Sequence, residues 1–177
     1  MRIVAGEFRG RQLKSPTWDG LRPTSDRLRE TLFNILGPAV RGARVLDGYA
    51  GTGAIGIEAL SRGAAHVTFV EKDPRAVNLI EANLAALSAS GAIIRAGFAE
   101  AAVRLAGQVF DLIILDPPYA DTAVAEALGA AHTVTGQGTR VVVEHGTRHA
   151  APPEHAGLRW TRTVNAGDSA LSFYEHL

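Results

Sequence analysis

The segment Asp116-Pro117-Pro118-Tyr119 follows a strongly apolar run over residues 110–115 and combines a carboxylate, two imino acids and an aromatic ring. Consider an exocyclic amine on a nucleic-acid base. Its lone pair is delocalised into the ring, so it is a poor nucleophile. Two acceptors gripping its two N–H bonds draw the nitrogen towards a tetrahedral shape and free that pair. Asp116 can offer a carboxylate oxygen and Pro117 a carbonyl, and a stiff loop of two prolines keeps its carbonyls out of local helix bonding. Tyr119 can stack on the base, a contact worth about 1–3 kcal/mol. Asp116, Pro117, Pro118 and Tyr119 are therefore the candidate catalytic residues.

A second constellation lies upstream. Asp47-Gly48-Tyr49-Ala50-Gly51-Thr52-Gly53 joins a strand signal to a helix signal, and Gly56 completes a G-x-G-x-x-G pattern. Glycines there let a ligand approach the main chain. Glu71 follows Gly51 by twenty residues and falls at a strand end, where a carboxylate can accept both ribose hydroxyls of a nucleoside-containing ligand. Asp47 would repel a pyrophosphate but attract an ammonium or sulfonium group. That preference favours S-adenosylmethionine over NAD. Asp73, followed by Pro74, reads as a helix cap.

These residues need a scaffold of strand ends. Residues 3–8 and 11–15 read as two short strands around the turn Arg9-Gly10. Thr24 or Ser25 caps a helix running to Leu36, with Leu28, Leu32, Ile35 and Leu36 as its apolar stripe, and Gly37-Pro38 ends it. From residue 44 the pattern alternates. Strands are expected over 44–47, 66–70, 92–96, 110–115 and 139–144, and helices over 52–62, from 74, 99–105 and 120–133. Residues 158–164 and 170–175 read as a closing hairpin. The expected fold is α/β, a doubly wound Rossmann-like sheet, mostly parallel, with an antiparallel C-terminal edge hairpin. A short N-terminal β-hairpin arm, residues 1–22, precedes the main domain, residues 23–177.

At 177 residues the length fits one domain, and 46% hydrophobic content excludes a disordered chain. There is no cysteine, which excludes a disulfide framework, a cysteine nucleophile and a thiolate zinc site, and fits a reducing compartment. His145 and His149 lack a third ligand at useful spacing, so no metal is expected. No apolar run is long enough to span a bilayer. The net charge of zero hides an asymmetry: residues 1–44 carry +5 and the remainder −5. Sixteen of the eighteen basic residues are Arg, whose planar fork suits phosphate. The basic front points to an anionic partner. Asn78 and Asn83 read as structural residues, and Ser61 as a surface or helix-end one.

Taken together the chain resembles the class I S-adenosylmethionine-dependent methyltransferases of the amino type, and more narrowly the RsmD-type family. The resemblance is carried by Arg2-Ile3-Val4-Ala5-Gly6 with Arg9-Gly10-Arg11, by Arg22-Pro23-Thr24-Ser25-Asp26-Arg27 with Arg29-Glu30, by Leu46-Asp47 through Gly63, by Val70-Glu71, by Asp116 to Tyr119, and by Gly167-Asp168-Ser169-Ala170-Leu171. It implies transfer of a methyl group from S-adenosylmethionine, leaving S-adenosylhomocysteine, to the exocyclic N2 amine of a guanine in bacterial 16S rRNA, with guanine 966 as the family expectation. The implied cofactor residues are Asp47, Tyr49, Ala50, Gly51, Gly53, Glu71, Lys72, Phe98, Ala99 and Asp116. The implied RNA contacts are Arg9, Arg11, Arg22, Thr24, Arg27 and Arg29; Asp26 and Glu30 are the alternative partners of those arginines. The implied setting is a cytoplasmic monomer acting on a small ribosomal subunit or an assembly intermediate. Two departures stand out. Phe98 occupies a place where many relatives carry Asp or Asn for the adenine amine, and Gly48 one where a larger apolar residue is common, with extra loop freedom expected. Three other functions stay open: an adenine-N6 methyltransferase on nucleic acid, an NAD-binding oxidoreductase, and a non-catalytic RNA-binding assembly factor.

Overall fold

The computed structural model describes residues 1–21, 24–120, 122–149 and 151–177. Arg22, one of the expected RNA contacts, lies outside the described residues. Five short strands form the centre: β1 (Arg44–Asp47), β2 (His66–Glu71), β3 (Ala92–Arg95), β4 (Leu112–Leu115) and β5 (Arg140–Gly146). They pair in parallel in the order β3-β2-β1-β4-β5. β4 reads Leu-Ile-Ile-Leu and is buried throughout, as a strand covered on both faces must be. The connections are the helices α2 (Ala54–Ser61), α3 (Pro74–Ala86), α4 (Phe98–Arg104) and α5 (Ala123–Ala131). Beyond β5 the sheet turns antiparallel through β8 (Ser169–His176) and β7 (Leu158–Ala166), with the two-residue β6 (Glu154–His155) at the edge.

The expected doubly wound sheet with its antiparallel C-terminal hairpin is the fold observed. Element ends shift: the helix expected over 120–133 spans Ala123–Ala131, and the strand over 110–115 begins at Leu112. The first helix, α1 (Asp26–Leu36), starts where its cap requires. The Ser25 hydroxyl accepts from the Leu28 N–H at 3.1 Å. It stops at Gly37, whose φ of 53° is the left-handed value glycine tolerates. One sheet face packs on α1, α2 and α3 through Leu32, Phe33, Ile57, Phe69 and Ile80. The other packs on α4 and α5 through Ile113, Leu115, Ala101 and Leu128.

The N-terminal arm differs from the expected pair of strands. Its hairpin path is held by a single antiparallel bridge, Arg2 to Gln12, with Ile3 N–H donating to Arg11 O at 3.0 Å. Pairing stops there because side chains of the main domain claim the arm's backbone. Glu58 accepts from the Val4 N–H at 2.9 Å and from the Ala5 N–H at 3.0 Å. Ser61 accepts from the Phe8 N–H at 2.9 Å and donates to Ala5 O at 2.6 Å, so it is a buried latch rather than a surface residue. Gly6 passes so close that a Cβ would sit 1.8 Å from Ser61 O. Asn83 completes the attachment, accepting from the Lys14 N–H at 2.7 Å.

Glu58 is the centre of this attachment, because it also faces Arg29 at 3.3 Å and Arg62 at 2.8 Å. Both Arg29 and Glu58 are 0% exposed. Arg29 further contacts Asp26 and donates to Arg2 O at 2.8 Å. Removing one partner of a buried pair leaves the other charge uncompensated. Glu58→Ala is therefore expected to lower unfolding stability by about 3–5 kcal/mol in urea titration, while Glu30→Ala on the exposed face of α1 stays within about 0.5 kcal/mol of the parent.

Candidate active site

Strand order reverses between β1 and β4, and ligands of open α/β sheets bind at such a switch point, beyond the carboxyl ends of the strands. The residues delivered there follow from register. Asp47 pairs with Phe69 on β2 and with Ile114 on β4, and Leu115 pairs with Val143 on β5. Side chains alternate along a strand. Glu71 therefore shares a face with Phe69 and Asp47, and Asp116 and Glu144, one step past Leu115 and Val143, fall on that same face. Four acids from four neighbouring strands thus share one face of the sheet.

Each is tied down differently. Asp47 is 2% exposed and accepts from the Gly56 N–H, in the first turn of α2, at 2.9 Å. Glu71 accepts from the Gly51 N–H at 2.8 Å and from the Asp73 N–H at 2.8 Å, which fixes the glycine loop to the end of β2. Asp73 caps α3 as expected, accepting from the Arg75 N–H at 2.9 Å. Gly53 begins α2 at a φ of 77°. Tyr49 and Phe98 lie with ring centroids 5.3 Å apart beside the loop, and Ala50 is buried beneath it. Gly48 has a different role from the expected loop freedom. A Cβ there would stand 2.4 Å from Leu115 Cδ2 and 2.8 Å from the Phe98 ring, so close packing requires glycine. Lys72 and Ala99 are exposed at the mouth of this region.

Pro117 is buried, while Tyr119 is 57% exposed. The Tyr119 hydroxyl donates to Glu144 Oε1 at 3.3 Å and lies 3.1 Å from Ser169 Oγ on β8. Glu144 was not among the residues expected at the site, and it is 7% exposed. The signal that could have found it is a charged residue inside Val-Val-Val-Glu-His, where a buried strand has no other reason to carry one. His145, also in β5, is occupied with Ser172 Oγ at 2.7 Å.

The basic residues assort less simply. Arg9, Thr24 and Arg27 are exposed or half-exposed. Arg11 donates to Ala86 O at the C-terminal end of α3, which is the end of the sheet opposite the carboxyl ends of the strands. Arg29 must be corrected: buried against Asp26 and Glu58, it is closed to any phosphate or cofactor. Of the two expected alternatives, pairing with acids is the one adopted. Among the described residues no group of three or more His, Cys, Asp or Glu could hold a metal, and no helix is long and apolar enough to cross a membrane.

Burial dominates the electrostatics. It pushes the Asp47 carboxyl up to about 7, opposed by the Gly56 N–H and reinforced by the charge of Glu71. Asp116 is raised to about 8 by burial, then by Glu144 and Asp47. Glu144 is raised as well, chiefly by burial, with the Ser169 and Tyr119 hydroxyls acting against it. Such a face welcomes a cation and hydrogen-bond donors and resists anions.

A parallel switch-point sheet with a glycine loop after β1 and Asp-Pro-Pro-Tyr after β4 defines the class I methyltransferase fold. The model of the family described as Conserved hypothetical protein 95 matches residues 1–175, and the chain belongs to that family. The RsmD-type resemblance is thereby borne out. The Ribosomal RNA small subunit methyltransferase D of Escherichia coli (strain K12) is 44% identical over 119 residues, which is 67% of this chain and 60% of that protein. The solved structure of yhhF from Escherichia coli superposes with a TM-score of 0.88 at 34% identity, covering 99% of this chain and 97% of that one. The Thermus thermophilus 16S rRNA N2 G1207 methyltransferase (RsmC), solved in complex with AdoMet and guanosine, gives 0.73 at 25% identity over 91% of this chain and 45% of that one.

The raised carboxyls yield a pH test. In an unfolded chain both Asp47 and Asp116 release their protons near 3.8; in the fold they keep them to about 7 and about 8. The folded protein thus binds more protons across this window, and stability falls as pH rises from about 4 to about 8. Asp116→Asn removes one of the two groups. Thermal melts between pH 4 and pH 8.5 should show a shallower decline for the variant than for the parent; parallel curves would contradict the raised pKa.

Proposed function

We propose that this protein is a cytoplasmic, monomeric S-adenosylmethionine-dependent methyltransferase that modifies the exocyclic N2 amine of a guanine in small-subunit rRNA, with guanine 966 of 16S rRNA as the family expectation. The observation that carries the reading is the location of Asp116 and Pro117. They emerge from a buried strand at the sheet's switch point, beside the glycine loop, with Tyr119 at the surface next to them. The names of the matched E. coli relative, a small-subunit rRNA enzyme, and of the more distant N2 enzyme solved with guanosine support the same reading.

The residues present fit a sulfonium nucleoside. When bound, S-adenosylmethionine supplies an electrophilic methyl group carried on positively charged sulfur. The acid face formed by Asp47 and Asp116, with both pKa values raised by burial and by like charge, gains from a neighbouring cation. Glu71, already at the end of β2 and touching the glycine loop, has the acceptor chemistry for ribose hydroxyls. Gly51 and Gly53 take φ of 53° and 77°, left-handed values that shape the loop and that side-chain-bearing residues rarely adopt. Tyr49 and Phe98 offer ring faces to an adenine, and Phe98 cannot accept from its amine. Ala50, Lys72 and Ala99 complete the rim of this pocket.

The chain's own contribution is orientation. The carboxylate of Asp116 accepts from one N–H of the target amine and the Pro117 carbonyl from the other, so the nitrogen lone pair is turned towards the electrophile. The amine carries an extra proton after transfer, and this proton is acidic enough to leave without a strong base; the Asp116 oxygen is the nearest acceptor on this reading. Tyr119 stacks on a base turned out of its helix, at a cost of a few kcal/mol that the pocket contacts repay. Arg27, exposed near the start of α1, holds a flanking phosphate on this reading, so binding weakens with salt; Arg9 and Arg11 lie towards the opposite end of the sheet.

The test uses small ribosomal subunits from cells lacking this activity and labelled S-adenosylmethionine, with mass mapping of the modified nucleoside. N2-methylguanosine at one position is expected. Asp116→Ala should lose at least about a hundredfold in rate while its calorimetric affinity for S-adenosylmethionine stays close to that of the parent. Full activity in the variant removes Asp116 from the chemistry.

A further inference from the structure

With Asp116 and Pro117 engaged on the amine, nothing so far reads the rest of the base, and an exocyclic amine is common to guanine, adenine and cytosine. The difference between guanine and adenine lies in the ring nitrogen beside the amine. Guanine carries a hydrogen on N1, so its edge offers two adjacent kinds of donor. Adenine has a bare lone pair at the corresponding nitrogen. An ionised carboxylate accepts from the first and is repelled by the second.

Glu144 has the attributes that role requires. It lies in β5, the strand immediately beside the one that delivers Asp116, one step past the Leu115–Val143 pair. Neighbouring strands stand about 4.8 Å apart, close enough for two such side chains to converge on one base edge. Glu144 is 7% exposed, and no cation pairs with it among the described residues. Its Oε1 accepts from Tyr119, the residue assigned to stack on the base, and Tyr119 in turn reaches Ser169 on β8. The carboxyl group is therefore held by hydroxyl donors and not by a cation, and it sits against the ring that meets the substrate. An acid kept buried and unpaired by cations in a β-strand is costly for folding alone.

We propose that Glu144 is the specificity-determining residue for guanine: its carboxylate accepts from the ring N1–H while Asp116 and Pro117 hold the N2 amine. The inference rests on the guanine-N2 reading above and adds the residue that enforces it. Tyr119 positions Glu144 through its hydroxyl, and Ser169 braces Tyr119 from the antiparallel hairpin.

2-Aminopurine separates the two ideas, because it keeps the 2-amine and lacks the N1 hydrogen. Small subunits are reconstituted on ligated 16S rRNA carrying either guanosine or 2-aminopurine riboside at the mapped target. If the parent protein modifies neither these guanosine particles nor native ones, the guanine-N2 reading fails, and this inference with it. If it modifies guanosine particles, the inference expects the 2-aminopurine particles to be poorer by about 10- to 100-fold in kcat/KM. Glu144→Gln, whose amide can donate to the bare N1, is expected to shrink that ratio to within about threefold, mostly by gaining on 2-aminopurine particles. Equal rates of the parent protein on both particles overturn the proposal, whatever the variant does. A Glu144→Gln protein that melts like the parent yet loses equally on both substrates also overturns it, and gives Glu144 a structural role. The parent comparison alone decides the matter if the variant does not fold.

Discussion

The two-residue repeat of a β-strand decides what this molecule can bind. Asp47, Glu71, Asp116 and Glu144 come from four separate stretches of chain, yet parallel register turns all four to one face at the carboxyl edge. A slip of one residue in any strand would send its acid to the opposite face, among Leu46, Ile113 and Val143, where no polar partner waits. The apolar residues of each strand prevent that slip, since both faces are packed and every inward position is occupied. Core packing and site chemistry are therefore one constraint. The hydrophobic pattern that makes the sheet also aims the carboxylates.

The same face is roofed by the start of the chain. Ile3 and Leu13 of the arm and Leu28, Leu32 and Phe33 of α1 belong to the core that backs the acids. Asn83 links Lys14 of the arm to Thr52 of the glycine loop, through a contact of 3.2 Å to Lys14 O and one of 3.4 Å to Thr52 O. Leu21 comes within 3.2 Å of where a Cβ on Gly51 would be. The arm is thus continuous with the wall of the site. Glu58 makes this attachment expensive to undo, because peeling the arm away would expose the Arg29–Glu58 pair and strip Val4 and Ala5 of their acceptor.

Much of this was legible in the sequence, for reasons that can be named. Strands β1 to β5 announce themselves as short apolar runs, the start of α3 by Asp73-Pro74, and the switch-point loops by glycine and proline. These signals are local. What escaped is non-local. Arg29 and Glu58 stand twenty-nine residues apart, and each looks like an ordinary solvent-facing helix charge until α1 is laid across α2. The arm alternates like a strand, but the groups that take its backbone bonds are Glu58, Ser61 and Asn83, more than fifty residues downstream. Glu144 is concealed in the same way, since only the β4–β5 register brings it beside Asp116. Gly48 was misjudged because its need for glycine comes from Leu115 and Phe98, not from its own backbone angles.

An acid-lined pocket creates a difficulty for an enzyme whose substrate is a polyanion. Phosphates are repelled by the very carboxylates that a sulfonium and base amines favour. The charge asymmetry of the chain answers it on the reading proposed here. The first 44 residues carry +5 and the rest −5, so on that reading attraction for the RNA backbone and attraction for the reacting groups come from different stretches of the chain. A base that leaves its helix to enter the pocket exposes a neutral, donor-bearing edge, and the adjoining phosphates stay outside with the arginines. The buried fate of Arg29 sharpens the division. One cation of the basic front is spent inside the protein, holding α1 and the arm in place, and on the proposed reading the exposed Arg27 nearby is left to meet a phosphate.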